Sequence, residues 1–190
     1  MKKRSVLGIV ISAAIYLLTY VLASSCGLIH PACYAYAGTF VPLLFSFVYL
    51  YTAANIQCFG AAFVLNCFVV VAGTIAGEGN PPLYFLLFVI TAVTEFIRSR
   101  FGYDTIKGVR WSFIPFAFSF YAYSAHWWTN TAESLAEAVE EMPAGYADKM
   151  AAVISNKPVL IIMLILTIPV AVFAIRIAEK VMKKQAARLK

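Results

Sequence analysis

The stretch Arg98-Ser99-Arg100-Phe101-Gly102-Tyr103-Asp104-Thr105-Ile106-Lys107-Gly108-Val109-Arg110 is basic and turn-rich, and it separates two long apolar runs. Lys and Arg beside membrane-spanning helices are retained on the cytoplasmic side. The stretch therefore reads as a cytoplasmic loop. Working outward from it, the apolar runs cover residues 5–25, 32–51, 56–77, 81–98, 111–129 and 158–181. Each has about 18–25 residues, enough for a helix to cross a hydrocarbon core of about 30 Å. If all six cross, Lys2, Lys3 and Arg4 share one side with Arg98, Arg100, Lys107 and Arg110. Arg176, Lys180, Lys183, Lys184, Arg188 and Lys190 join them, so thirteen of the fifteen Lys and Arg residues lie together. Only Lys149 and Lys157 fall opposite, whereas Glu78, Glu133, Glu137, Glu140, Glu141 and Asp148 all lie in outer loops. That asymmetry places both termini in the cytoplasm.

Composition supports the same reading. The chain of 190 residues is 62% hydrophobic and 13% charged, about half the charge of an ordinary soluble domain. The net charge of +6 is matched by the anionic lipid headgroups that face cytoplasmic loops, so nucleic acid is not an expected partner. Residues Leu22-Ala23-Ser24-Ser25-Cys26 end the first run much as a lipoprotein signal ends. The run is longer than a signal's apolar core of about 7–15 residues, so it is read as a retained helix. Strands in lipid would leave backbone groups unpaired. The expected fold is therefore an all-α membrane protein, one domain over 1–190, with six transmembrane helices.

Residues 130–156 are too polar to cross and too long for a plain connector. Thr131 is a plausible N-cap, and Glu133, Glu137, Glu140 and Glu141 follow on one side of a helix, with Leu135, Ala136 and Val139 toward the bundle. Met142-Pro143-Ala144-Gly145 breaks that helix before a second one over 146–154. The pair reads as a short amphipathic cap between helices five and six on the outer face.

Polar and aromatic residues gather at the outer ends of the runs: His30, Tyr34 and Tyr36, then Glu78 and Asn80, then His126, Trp127, Trp128 and Asn130. Trp and Tyr often sit at headgroup depth as anchors, but these two histidines are the only ones in the chain. Cys26-x-x-x-His30-x-x-Cys33 offers metal-binding residue types in a spacing that matches no metal motif, and no metal site is expected. Cys26 and Cys33 could also pair in an oxidising exterior. A haem iron could take His30 or His126 as an axial ligand, which keeps haem open as a transported cargo. Glu95 lies inside an apolar run, where a pair with Arg98 or snorkelling toward the cytoplasm explains it as well as a role in coupling does. Gly8-x-x-x-Ser12 with Ala13 forms a small-residue face suited either to internal packing or to docking a partner. No nucleophile, metal-hydrolase or phosphate-loop motif is present, so the chain does not read as an enzyme, and active transport would need an ATPase partner.

His30-Pro31, the turn Gly73–Pro82, Glu95 followed by Gly102-Tyr103 and Lys107, Gly145-Tyr146-Ala147-Asp148 and Lys183-Lys184 follow one another in a distinctive order. In these features, over about residues 8–184, the sequence resembles the Trep_Strep family of bacterial integral membrane proteins. That family is itself similar to the substrate-binding (S) components of energy-coupling factor transporters. The chain differs from it in the last helix, in the tail and at Gly79-Asn80-Pro81. The resemblance implies a multi-pass protein of the bacterial cytoplasmic membrane that captures a vitamin or other micronutrient at its outer face. It also implies delivery through a transmembrane coupling subunit and two cytoplasmic ATPases. His30, Tyr34, Glu78, Asn80, Tyr123, His126, Trp127 and Asn130 are the expected substrate-binding residues, and Gly8, Ser12 and Ala13 the expected docking residues. The alternatives are a membrane enzyme and a structural or assembly protein with no transport role.

Overall fold

A computed structural model describes residues 6–188, with side chains through residue 184. Lys2, Lys3, Arg4 and Lys190 lie outside the described residues, as does the side chain of Arg188. Every described element is helical. In chain order these are α1 (Val6–Ser25), α2 (Pro31–Ala35), α3 (Pro42–Asn55), α4 (Ala61–Ile75), α5 (Pro81–Phe101) and α6 (Ile106–Phe116). They are followed by α7 (Ser119–Ser124), α8 (His126–Thr129), α9 (Thr131–Glu141), α10 (Tyr146–Ser155) and α11 (Lys157–Arg188). Three described stretches, Val6–Leu28, Pro81–Phe101 and Lys157–Lys184, are long and apolar enough to cross a membrane, and Ala61–Ile75 is apolar but shorter.

The molecule has the inverted distribution of a lipid-facing bundle. Val6, Leu7, Val10 and Ile11 on α1, Phe85, Phe88 and Phe96 on α5, and Ile161, Ile165 and Phe173 on α11 are all exposed. Thr19, Ser46, Asn66, Thr91, Ser112, Ser119 and Thr167 are buried. Polar groups in lipid need internal partners, and the residues just named have them. Tyr16 donates to Asn66 Oδ1 at 3.1 Å, and Asn66 Nδ2 donates to Thr91 Oγ1 at 2.8 Å, joining α1, α4 and α5. Around this file the rings of Tyr16, Phe45, Tyr49 and Phe116 pack with centroids 4.5–5.5 Å apart.

Two expected continuous helices are broken. The run 32–51 divides at Ala37–Thr39, and the run 111–129 divides at residues 117–118 and again at 125. Pro42 restarts the first as an N-terminal helical residue. Pro115, inside α6, brings no N–H and crowds the preceding turn. The breaks face one another. Thr39 Oγ1 lies 2.6 Å from the Tyr121 hydroxyl and donates to the Met163 carbonyl at 3.0 Å, so the Thr39 side chain ties the first break to α7 and α11. A Cβ on Gly38 would meet the Tyr121 ring at 2.5–2.9 Å. Gly38→Val is therefore expected to cost about 1–3 kcal/mol by overpacking, read as a lower thermal unfolding midpoint in detergent.

The helix expected from residue 56 begins instead at Ala61, because Gly60 takes φ +126° and turns the chain. At the same end α5 stops at Gly102 (φ +96°), and Thr105 Oγ1 caps α6 by accepting from the Gly108 N–H at 2.9 Å. Glu95, expected to pair with Arg98 or to snorkel, is buried there. Arg98 is fully buried and donates to the carbonyls of Ala53, Ile56 and Tyr103 at 3.2, 2.9 and 2.9 Å. Glu95 accepts from the Ala62 N–H at 2.8 Å, so this pair on α5 holds the α3–α4 turn. Nearby, Arg110 on α6 makes a two-point pair with Glu179 on α11 at 2.6 Å. The link 98–110 and the end of α11 are thus neighbours at one end of the bundle, and α9 and α10 close the other.

The small residues of α1 need a correction. Ser12 and Ala13 are buried within the chain, and Ser12 donates to the Gly8 carbonyl at 2.8 Å. Ser12 and Ala13 thus pack helices inside this molecule, and only Gly8, half-buried, keeps surface of its own.

A candidate ligand cavity beneath the acidic cap

At the cap end a cavity of about 340 Å³ opens between the ends of α1, α2 and α4 and the helices α7–α10. That volume falls in the range of small-molecule sites, about 300–1,000 Å³. Tyr34, Tyr123, Trp127 and Tyr146 supply its aromatic walls, and Glu78, Glu137 and Glu141 its charge. Asn80 and Asn130 line a continuation of the cleft that shares Glu78, His126, Ser134 and Glu137.

Local structure explains each position. Glu78 lies in the turn after α4, where Gly77 takes φ +83° and the Glu78 N–H reaches back to the Gly73 carbonyl at 2.8 Å. Asn80 then caps α5 by accepting from the Leu83 N–H at 2.9 Å, with Pro81 as the first helical residue. His126 starts the one-turn helix α8, and its Nδ1 lies 2.8 Å from Ser134 Oγ, which fixes α8 to the cap helix. The His126 and Trp127 rings are 4.9 Å apart, and Trp127 meets Tyr34 edge-on at 6.2 Å. Trp127 is only 5% exposed, yet its indole N–H, close to the Tyr34 hydroxyl, makes no hydrogen bond.

Electrostatics mark the cavity as a place for positive charge. Partial desolvation by the walls raises the Glu78 carboxyl above its ordinary range, and the charges of Glu141 and Glu137 raise it further. The groups facing it are Glu137, Glu141, His126, Tyr34, Tyr123 and Tyr146. A raised carboxyl binds its proton more tightly in the folded chain than in the unfolded one. Stability from Glu78 is therefore greatest at low pH and declines as pH rises from the ordinary carboxylate value through the raised one. In the ligand-free protein, Glu78→Gln is expected to flatten the pH dependence of the unfolding midpoint in that window; an unaltered slope would show that Glu78 is not the titrating group.

The structure brings five expected residues, Tyr34, Glu78, Tyr123, His126 and Trp127, into one cavity, and places Asn80 and Asn130 in its continuation. It does not bring His30 there. His30 is exposed, its Nδ1 caps α2 by accepting from the Ala32 N–H at 3.1 Å, and it shares a separate recess with Tyr36, Lys149 and Asn156. Trp128 lines a third recess with Leu135 and Lys157. Cys26 and Cys33 are free thiols. Among the described residues, no group of three His, Cys, Asp or Glu side chains could hold a metal ion.

Sequence reasoning missed Ser134, Glu137, Glu141 and Tyr146 as wall residues. It expected Leu135, Ala136 and Val139 to face the bundle; Leu135 does pack against the core, but the buried residues of α9 are Ser134 and Ala138, and Val139 is 70% exposed. The spacing of Ser134, Glu137, Ala138 and Glu141, one helical stripe, was the available signal. A larger apolar groove between α1 and α3, with Leu22, Phe40, Leu44 and Met163 among its lining, offers few polar groups to orient a ligand.

A family model described as a hypothetical bacterial integral membrane protein (Trep_Strep) matches residues 3–188. No curated protein and no solved structure matches the chain.

Proposed function

The chain belongs to the Trep_Strep family of bacterial integral membrane proteins, and from that premise we propose that it is the substrate-capture subunit of an energy-coupling importer. The observation that carries this reading is the capped cavity, with aromatic walls and carboxylates, at the end opposite the basic link. In this reading the chain crosses the bacterial cytoplasmic membrane six times, with α2–α3 and α6–α8 as interrupted crossings and both termini inside. Interrupted helices buried around a site are a recurrent device of transporters. The cap then lies outside, where a small molecule arrives, and the basic end lies inside, beside a coupling subunit and two ATPases. The three glutamates narrow the cargo: haem carries two anionic propionates, which the cavity would repel.

The orientation has its own test. Cys33 is exposed and, in a variant retaining it as the sole cysteine, is expected to react with a membrane-impermeant maleimide added to intact cells. Protection until the cells are opened would reverse the topology. Transport is tested by gentle purification from the native membrane, which is expected to recover a membrane coupling subunit with ATP-hydrolysing partners. Recovery of the chain alone would favour a structural role. A membrane hydrolase is a second reading, favoured only by the Ser134–His126 contact of 2.8 Å; it requires Ser134 to be labelled by a fluorophosphonate probe.

A further inference from the structure

We infer that the cavity selects a small organic cation that also carries a hydrogen-bond acceptor, held by Glu78, Glu137 and Glu141 against the rings of Trp127, Tyr34 and Tyr123. This rests on the capture reading and names the class of its cargo.

Four observations support it. First, no Lys or Arg lines the cavity. The two ion pairs among the described residues, Glu95–Arg98 and Arg110–Glu179, lie at the other end. Three carboxylates therefore face one space with no internal counter-charge. Second, they come from two walls. Glu78 stands on the α4–α5 turn, and Glu137 and Glu141 stand one turn apart on α9. A positive charge between these walls relieves their mutual repulsion and draws the cap toward the bundle. Third, the walls include Trp127, Tyr34 and Tyr123, residue types whose rings attract cations, and organic cations more than strongly hydrated metal ions. These carboxylates are also not grouped as a metal site among the described residues. Fourth, Trp127 lines the cavity, and its buried indole N–H, beside the Tyr34 hydroxyl, makes no hydrogen bond of proper geometry. A buried donor without a partner is costly, and a ligand carbonyl or ring acceptor would satisfy it.

The test uses three probes built on one ring with one acceptor-bearing substituent. They are 1-methylnicotinamide (a cation), nicotinamide (neutral) and nicotinate (an anion), each titrated calorimetrically into the detergent-purified full chain. The expected order is cation first, the neutral probe at least tenfold weaker, and the anion unbound. Glu78→Gln with Glu137→Gln and Glu141→Gln is expected to remove at least tenfold of the cation's affinity while leaving the neutral probe unchanged. These side chains are exposed at the rim, so the exchange leaves the fold intact, as the unfolding midpoint checks. Trp127→Phe keeps a ring but removes the donor, and is expected to weaken both amides by a similar factor. Equal or tighter binding of the neutral or anionic probe overturns the cation class and leaves the capture reading standing. Binding of none of the three overturns the inference, and the mass of any molecule retained from the native membrane then decides the capture reading separately.

Discussion

Arg98→Met is expected to destabilise the protein by about 3–5 kcal/mol, the usual cost of removing one partner from a buried charged pair. Arg98 is fully buried, and its guanidinium binds three carbonyls, those of Ala53 and Ile56 at the end of α3 and of Tyr103 after α5. Methionine fills similar volume but satisfies none of them. It also leaves Glu95, 2% exposed, as a charge without the cation 3.9 Å away. Loss of monodisperse protein after brief heating, followed by size-exclusion chromatography, measures the effect. The double variant Glu95→Gln with Arg98→Met removes the orphaned charge and is expected to recover part of the loss. Additive single losses would show that the two side chains do not act together.

Trp127→Ala is the second large effect. Trp127 is buried between His126 and Tyr34, and truncating a buried aromatic costs about 3–5 kcal/mol. Its loss also opens the wall that carries the unpaired indole N–H. The expected result is a lower unfolding midpoint together with loss of ligand retention. Trp127→Phe separates the two, because it preserves most of the packing. A phenylalanine variant that is stable but has weakened binding locates the effect in the donor; stability and binding falling together in proportion would make Trp127 a packing residue only.

Much of the fold was legible because its causes are local. Long apolar runs mark the helices that can meet lipid, and Asn80-Pro81 stands at the start of one, whereas the stop at Gly102 and the cap at Thr105, which starts α6 at Ile106 rather than at residue 111, were not read. The breaks at Ala37–Thr39 and after Phe116 were not legible. Hydropathy sums apolar content and is blind to tertiary contacts such as those the Thr39 hydroxyl makes at the first break with Tyr121, Met163 and Thr167. Arg98 looked like one more cytoplasmic charge, since only the fold reveals three carbonyls converging on it. The candidate site was legible in part for a similar reason. Order along the chain places His30 and His126 at the same end, but rotation about the bundle axis separates them, and that angle is set by packing. Glu137 and Glu141 were read as a solvated face because the residues that bury α9 are small Ser134 and Ala138, which carry little hydrophobic signal.

Native mass spectrometry of the chain, purified gently from its own membrane, tests the capture function most directly. The account predicts a small molecule bound in one-to-one ratio, absent when Glu78, Glu137 and Glu141 are all glutamine. A bare chain mass under conditions that preserve lipid adducts would contradict the capture function; an adduct indifferent to those three substitutions would contradict the placing of the cargo among these carboxylates.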